Sequence, residues 1–234
     1  MTETSRFSAI IAALILALGL IVGGYLLGNG LVRARHADRA VTMRGLAERD
    51  VTADLATWTL AYSANGPDLA TNQAKIDHDT AAIMALFRSS GFSADEVTTA
   101  GVNVNQYRNN DGSPNITIRQ RLQLRTTKVM QARKAFARQA ELVRQGVALE
   151  DGSGMVYSFT RLNDVKPAMI AEATRDARAA AGQFAKDSGT SVGAIKQATQ
   201  GYFSIGARDG EGSSGSDTPF QKVRVVTTID FYLE

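Results

Sequence analysis

A long run without a charged residue constrains the N-terminal part of this chain more than any other feature. Residues 7–32 contain no Asp, Glu, Lys or Arg, and a helix needs roughly 20 apolar residues to cross the hydrocarbon core of a bilayer. The run predicts a transmembrane anchor over residues 7–32, after an N-terminal tail of residues 1–6. A cleaved signal peptide is the alternative, but its apolar region is usually shorter, and Gly28-Asn29-Gly30 is a poor cleavage site.

Basic residues collect directly after this run and leave the rest of the chain neutral. Five arginines lie between Arg33 and Arg49 against two acidic residues, whereas the sequence from Asp50 onward holds 20 basic and 20 acidic residues. Nucleic-acid binding needs a clustered basic surface, so no nucleic-acid partner is expected. Residues 33–40 are interpreted as a basic juxtamembrane linker that contacts lipid headgroups.

The side of the membrane on which the C-terminal part lies has two interpretations. Arg33, Arg35 and Arg39 follow the run and only Arg6 precedes it. The positive-inside rule then places the C-terminal part in the cytoplasm. Long domains translocate largely regardless of such charges, so a periplasmic location stays open.

The inventory of side chains excludes several classes of site. The chain has no Cys, and His36 and His78 are its only two histidines. Thiolate metal sites, iron–sulfur clusters, cysteine nucleophiles and His-based zinc sites are therefore excluded, and no cofactor is expected. The 44% hydrophobic and 21% charged content is typical of a folded protein.

Hydrophobic periodicity after residue 40 predicts an α+β fold in which antiparallel sheets pack against helices. A helix follows the Gly66-Pro67-Asp68 break and ends at Gly91, and further helices cover residues 128–145 and begin at an Asp164 cap. The last helix carries a stripe of mostly small residues that permits close approach of another layer: Ile170, Ala173, Ala177, Ala181 and Phe184. The predicted strands are residues 41–50, 55–64, 97–107, 116–126, 154–162, 195–205 and 220–233.

A short motif recurs at an offset of 98 residues and suggests an internal duplication. Ser90-Gly91-Phe92-Ser93 matches Ser188-Gly189-Thr190-Ser191, and each copy joins a helix to the first strand of a hairpin. One interpretation is a duplicated strand-helix-hairpin unit. The other is common helix-stop chemistry, in which Gly supplies the left-handed cap.

Five segments of the C-terminal part together carry a family resemblance. They are Met43–Val51 with Ala53–Ala56, Tyr157–Phe159, the Ala-rich helix around Ala173–Ala181, Ser188-Gly189 and Val223–Glu234. These segments resemble the SIMPL-domain family, which includes bacterial periplasmic immunogenic and oxidative-stress-defence proteins. The resemblance covers residues 41–234 and implies an α+β fold, an extracytoplasmic location and homo-oligomerisation into large assemblies. It implies no catalytic residues, and it favours a single-pass inner-membrane protein with its domain in the periplasm.

Motifs that suggest chemistry also have structural explanations. Gly210–Gly215 matches G-x-G-x-x-G, but a strand follows it where a dinucleotide site needs a helix. The same loop and Asn109–Asn115 carry possible calcium ligands without EF-hand spacing, so both are interpreted as solvated turns. No metal site is expected.

Three side-chain groups are candidates for catalytic or binding sites. His78, with Ser63 or Ser158, would suggest a hydrolase, but no nucleophile elbow is present and a surface His is the simpler interpretation. The carboxylates of Glu48 and Asp54 are read as turn residues. The aromatic pair Trp58 and Tyr62 could line a ligand cleft but is typical of a core.

These observations predict a non-enzymatic, membrane-anchored, self-assembling protein with a role in envelope or oxidative-stress protection. The alternative is a module that binds a small hydrophobic or envelope ligand near Trp58, and an enzyme using His78 comes third. Self-assembly would use two G-x-x-x-G pairs in the anchor and a closing strand that is long enough to invite pairing if it lies at a sheet edge. The residues concerned are Gly19, Gly23, Gly24, Gly28, Val223, Val225, Ile229 and Phe231.

Overall fold

The structure is a computed structural model that describes residue 14 and residues 16–29, 39–210 and 215–234. Residues 14 and 16–29 are helical and are called α1. The predicted tail of residues 1–6, most of the linker with His36, and both ends of the predicted anchor lie outside the described residues. Among the described residues, no helix is both long enough and apolar enough to span a membrane.

Groups of strands and helices follow α1, and the predicted α+β fold is confirmed. Single turns of 3-10 helix lie at Ala94–Glu96 and Gly215–Asp217. The elements are β1 (Ala40–Thr52), β2 (Leu55–Gly66), α2 (Leu69–Ser89), β3 (Val97–Arg108), β4 (Pro114–Thr126), α3 (Val129–Phe136), α4 (Ala140–Arg144), β5 (Gly154–Ser158), α5 (Leu162–Asp187), β6 (Val192–Gln200), β7 (Ser204–Ala207) and β8 (Phe220–Leu233).

The strands form two four-stranded sheets. The first has the order β3-β4-β2-β5, and the predicted hairpin of β3 and β4 is antiparallel from Val97 opposite Leu124 to Arg108 opposite Pro114. The second has the order β1-β8-β6, with β7 also paired to β8. Strands β3 and β6 therefore lie at sheet edges, while β8 has paired neighbours on both sides.

The chain divides into two compact units, each with its own core. One contains the described residues within Met1–Ala47, Ile170–Tyr202 and Val225–Glu234, and its core includes Ala177, Ala181, Ile229 and Phe231. The other contains Glu48–Met169 and Phe203–Arg224, with a larger core around Trp58.

The two copies of the predicted repeat end their helices in the same way. Gly91 and Gly189 have φ values of +85° and +70°, a region that favours glycine. The N–H after each glycine bonds five residues back, Phe92 to the Phe87 carbonyl at 3.0 Å and Thr190 to the Ala185 carbonyl at 2.8 Å. Both helices thus end in a Schellman motif, as the cap interpretation expects.

The strand before each helix does not repeat in the same way. Strand β2 precedes α2 and lies in the same sheet as the β3-β4 hairpin that follows this helix. Strand β5 precedes α5 but lies beside β2 in the first sheet, whereas the strands that follow α5 lie in the second sheet. In the second sheet β1 occupies the place beside β8. What the two segments share is a helix, its glycine cap and a following hairpin.

The prediction of one continuous helix over residues 128–145 is wrong in the middle, where the structure has two helices, α3 and α4. Around the break, the N–H groups of Arg138, Gln139 and Glu141 bond three residues back. These tighter turns advance the side chains by about 120° per residue instead of about 100°. The apolar face consequently moves, so that Leu142 is buried and Val143 is exposed.

The predicted small-residue stripe of α5 is buried at Ala173, Ala177 and Ala181, but Phe184 is exposed and Ala185 takes its place. Helix α5 begins at Leu162, so Asp164 lies in its first turn and the prediction of Asp164 as the cap is wrong. Gly45 of β1 lies directly against the α5 backbone at Ala173 and Ala177.

Candidate functional site

Strand β3 forms an exposed edge of the first sheet. It pairs with β4 on one side, and every side chain from Thr98 to Arg108 is exposed. Three of these are large apolar or aromatic side chains, with Val102 57%, Val104 53% and Tyr107 50% exposed. An edge strand also presents unpaired backbone N–H and C=O groups, so β3 offers both backbone and apolar contacts to another chain.

Helix α2 covers β4 but leaves β3 open. Residues opposite each other in an antiparallel pair share a face, and Val104 is opposite Ile118, which is fully buried. The next pair on that face is Val102 and Gln120, whose side-chain amide donates to Thr80 of α2 at 3.4 Å. Val102 and Val104 therefore extend the apolar face of the sheet beyond the reach of the helix.

The β3 edge carries few of the features that normally protect an edge strand. No charged residue and no proline occurs from Val97 to Tyr107, although lysine, other charges and proline are the usual protection. A register shift between Thr99 and Gly101 is its one irregularity against β4. Absence of charge is otherwise typical of a central strand, so this local pattern gave no signal that β3 lies at an edge.

Strand β6 forms one edge of the second sheet, opposite β1, and is less regular than β3. Its side chains from Ala194 to Gln200 are exposed, but Lys196 lies within it and packs its ammonium group 5.6 Å from the ring centroid of Tyr232. Its pairing with β8 shifts register twice between Val192 and Gln197. We therefore regard β3 as the stronger candidate surface.

The start of β3 is held by the carboxylate of Glu96. It accepts hydrogen bonds from the Thr126 hydroxyl at 2.6 Å, the Ser93 N–H at 3.0 Å and the Lys128 ammonium at 3.0 Å. These donors lower the pKa of Glu96 from 4.5 to about 2. The carboxylate is thus ionised at ordinary pH. Because Glu96 directly precedes β3, its bonds tie the start of this strand to β4 and to the start of α3.

A row of arginines occupies the face of the first sheet opposite α2. Arg119, Arg121 and Arg125 alternate with inward-facing residues along β4. Arg119 Nε donates to Glu150 Oε1 at 3.2 Å. The Ser63 hydroxyl and the Arg119 guanidinium hold the pKa of Glu150 below its ordinary value. Arg121 has no acidic partner within ion-pair distance among the described residues.

A cavity of about 200 Å³ opens beside Arg121. The residues opposite Arg121 on the two neighbouring strands are Ala61 and Gly101, which are both small. Asn103, Arg119 and Asp151 form part of its wall. The cavity exists largely because Gly101 contributes no side chain at this edge.

Trp58 and Tyr62 are core residues, which contradicts a ligand cleft formed by their side chains. Both are 0% exposed. The Trp58 ring makes edge-on contacts with Phe87 at 5.2 Å and Phe136 at 5.4 Å between ring centroids. The Tyr62 hydroxyl lies 2.6 Å from the Thr80 hydroxyl. These aromatic side chains fill the space between β2 and the helices.

The residues considered for a Ser-His-Asp arrangement have other partners. His78 has a side chain that is 67% exposed, and its Nδ1 lies 3.4 Å from Asp79 Oδ1. Asp79 is fully buried, and its carboxylate accepts a hydrogen bond from the Lys75 ammonium at 2.5 Å. Ser63 forms a hydrogen bond with Glu150, and Ser158 lies in β5 opposite Leu55 of β2. His78 is therefore a surface residue, as the simpler interpretation predicts.

The two carboxylates near the first turn are engaged separately. Glu48 lies 3.5 Å from the Lys222 ammonium, while Asp54 accepts from Thr160 and Arg161 and ties the β1-β2 turn to the start of α5. These donors outweigh partial burial and lower the pKa of Asp54.

The loop motifs show no metal cluster in the part of the chain that the structure describes. In the β3-β4 turn, Asp111 accepts from the Ser113 N–H and hydroxyl. In the Gly210–Gly215 loop, residues 211–214 lie outside the described residues.

The residues predicted for self-assembly fall into two groups. Val223, Val225, Ile229 and Phe231 are at most 1% exposed and β8 is a central strand, so the edge position on which their predicted pairing depends is not what the structure has. Its backbone is already paired on both sides. Gly19, Gly23, Gly24 and Gly28 lie on α1, where a methyl group would meet no atom within 4 Å. Their role in helix association stays a prediction.

A protein-family model matches the folded part of the chain. The model named SIMPL, described as a protein of unknown function (DUF541), matches residues 41–231. This chain belongs to the SIMPL family. No curated protein matches it. The matched SIMPL segment contains the strands of both sheets, including the β3 edge and the cavity beside Arg121, and it excludes α1.

Proposed function

We propose that this SIMPL chain is a non-catalytic, membrane-tethered protein whose folded part assembles with copies of itself. The observation that carries the proposal is the β3 edge, which combines exposed valines, an exposed tyrosine and no charge from Val97 to Tyr107. A soluble protein that left such an edge open would risk uncontrolled pairing. Regular self-assembly covers the edge and uses its backbone groups.

The tether is supported by the character of α1. Its exposed apolar side chains include Leu16 at 67%, Ile21 at 69% and Leu26 at 63%, and at about 100° per residue they point in different directions around the helix. A helix that is apolar all round is suited to a protein core or a lipid bilayer. Together with the uncharged run of residues 7–32, this supports an anchor that is not removed.

The periplasmic location and the role in envelope or oxidative-stress protection rest on the family resemblance. We expect protease added to spheroplasts to digest the folded part, because it would lie outside the inner membrane. Intact cells and lysed spheroplasts are the controls. Digestion after lysis alone would put the domain in the cytoplasm and contradict the proposal.

A non-catalytic role is supported by what the candidate catalytic side chains do. Ser63 forms a hydrogen bond with Glu150, and Asp54 accepts bonds from the side chains of Thr160 and Arg161. His78 lies on the surface beside Asp79.

The alternative function, a module that binds a hydrophobic ligand near Trp58, loses its support because that ring lies in the core. The wall of the cavity beside Arg121 contains the charged residues Arg119, Arg121, Glu150 and Asp151. Burying these charges under a hydrophobic ligand would be unfavourable.

The mass of the full-length protein in detergent tests self-assembly. We expect light scattering to give a uniform multiple of the chain mass at micromolar concentration, and the Val104→Lys variant to shift it towards the single chain. A lysine there adds charge to the open edge, as natural protected edges do. Thr199→Lys on the β6 edge is the matched control.

Two further outcomes decide the proposal. The assembly should survive Gly23→Leu and Gly24→Leu if the folded part holds it together. A single-chain mass for the unmodified protein would contradict self-assembly.

A further inference from the structure

The β3 edge has one stretch that is regular enough to receive another strand. After the irregularity at Thr99 and Gly101, pairing with β4 runs without a break from Gly101 opposite Arg121 to Arg108 opposite Pro114. The outward backbone groups of residues 101–108 therefore form a regular row. The corresponding row on β6 is broken by two register shifts.

The partner strand that suits this row of backbone groups is β3 of a second copy of the chain. Two copies in an antiparallel pair are related by a two-fold axis, and residues opposite each other must share a face because side chains alternate. The axis must then pass midway between the two copies of one residue in the regular stretch, which lies opposite itself. The candidates near its middle are Asn103, Val104 and Asn105.

These three positions of the axis give different side-chain pairs. An axis at Asn103 pairs five residues before the irregularity at Gly101 interrupts it. An axis at Asn105 pairs seven residues but sets the charged Arg108 opposite Val102. An axis at Val104 also pairs seven, residues 101–107, and every pair is uncharged.

We propose that β3 pairs antiparallel with β3 of a second copy about a two-fold axis at Val104. This inference rests on the proposed self-assembly and names the contact that produces it. On the face that carries α2, Val104 meets Val104 of the second copy and Val102 meets Gln106. On the opposite face, Asn103 meets Asn105 and Gly101 meets Tyr107.

The pair of Gly101 and Tyr107 accounts for the cavity beside Arg121. Tyr107 lies opposite Asn115 in β4 and so shares the face that carries Arg121. In the proposed pair, the Tyr107 ring of the second copy stands over Gly101, where the space of about 200 Å³ opens. Aromatic rings that cover a cross-strand glycine stabilise sheets, and here the contact occurs twice by symmetry.

Charge does not oppose this pairing. No charged residue lies between Val97 and Tyr107. The nearest arginines on the arginine row belong to β4, so those of the two copies are separated by three strand spacings, about 14 Å. That separation exceeds the screening length of about 8 Å at physiological ionic strength.

Single cysteines test the position of the axis directly, because the chain contains no Cys. Opposite residues in an antiparallel pair have Cα atoms about 4.5–5.5 Å apart, within the range of a disulfide. With copper phenanthroline as oxidant, we expect full-length Val104→Cys to form a covalent dimer on a non-reducing gel. Asn103→Cys and Asn105→Cys should cross-link when mixed but not separately.

The same scan contains its controls. Thr199→Cys lies on the exposed β6 edge and should not cross-link above the level of random collision. Equal cross-linking at Thr199 and Val104 would overturn the inference. A dimer that forms with Asn103→Cys alone or Asn105→Cys alone would overturn the axis at Val104.

A second measurement tests the Tyr107 contact without a disulfide. We expect Tyr107→Ser to weaken association about tenfold, because two aromatic contacts are lost together. Tyr202→Ser is the matched control, since that side chain is 99% exposed. An assembly of unchanged affinity, with no cross-link at Val104, would overturn this inference and leave self-assembly intact. A single-chain mass would overturn both.

Discussion

Replacing Gly45 by alanine is expected to destabilise the folded chain by about 3 kcal/mol or more, since overpacking of a close contact costs 1–3 kcal/mol and occasionally more. A methyl group there would lie 2.6 Å from the Ala177 nitrogen and 2.9 Å from the Ala173 carbonyl carbon, and closer still to the Ala173 oxygen. These are backbone atoms of α5, and the Leu46 N–H donates to the Asp176 carboxylate at 2.9 Å beside them. The strand cannot retreat without losing that bond.

Urea unfolding followed by circular dichroism measures this effect, and Gly182→Ala is the matched control. Gly182 lies inside α5, and a methyl group there meets no atom within 4 Å. Alanine in a helix interior is favoured over glycine by about 0.5–1 kcal/mol, so this variant should be slightly more stable. A Gly45→Ala variant as stable as the unmodified protein would contradict the close approach of β1 and α5.

Replacing Trp58 by alanine is expected to lower the free energy of unfolding by about 3–5 kcal/mol, the range for removing a large aromatic side chain from a core. Trp58 is 0% exposed and makes edge-on contacts with Phe87 and Phe136. The cavity left behind is lined by rigid strand and helix, which limits collapse. The same unfolding measurement applies.

The control for this variant is Tyr202→Ala. Tyr202 is 99% exposed, and surface substitutions usually change stability by less than about 0.5 kcal/mol. If Trp58 lined an open ligand cleft, its removal would cost little stability. A loss below about 1 kcal/mol would therefore contradict the core assignment and revive the binding function.

Local patterns in the sequence were sufficient for most elements. The hairpin of β3 and β4 was predicted because alternating residues flank a turn whose Asn, Asp, Gly and Pro residues suit tight backbone geometry. The left-handed glycine at the end of α2 was predicted for the same kind of local reason. Helix 128–145 was predicted too long, because three-residue turns inside it leave no Gly or Pro signal.

The candidate site depended on information that no local pattern contains. Strand β8 alternates and is long, which suits either an edge or a central strand, so the sequence left its place open and the structure makes it central. Strand β3 was predicted as a strand without its place in the sheet. Strand order follows from pairings between residues far apart in sequence, such as β2 with β5. Periodicity reports which face of a strand is apolar and not which neighbour it has.

The sequence by itself determined the α+β fold class, the family, the types of most elements and the small-residue stripe of α5. It could do so because turns, caps and periodicity act over a few residues. The tertiary structure alone decided that β8 is buried between partners, that β3 is left open, and that Gly101 leaves a cavity beside Arg121. These features depend on strand order and on how far α2 reaches across the sheet, and both are set by packing between distant segments.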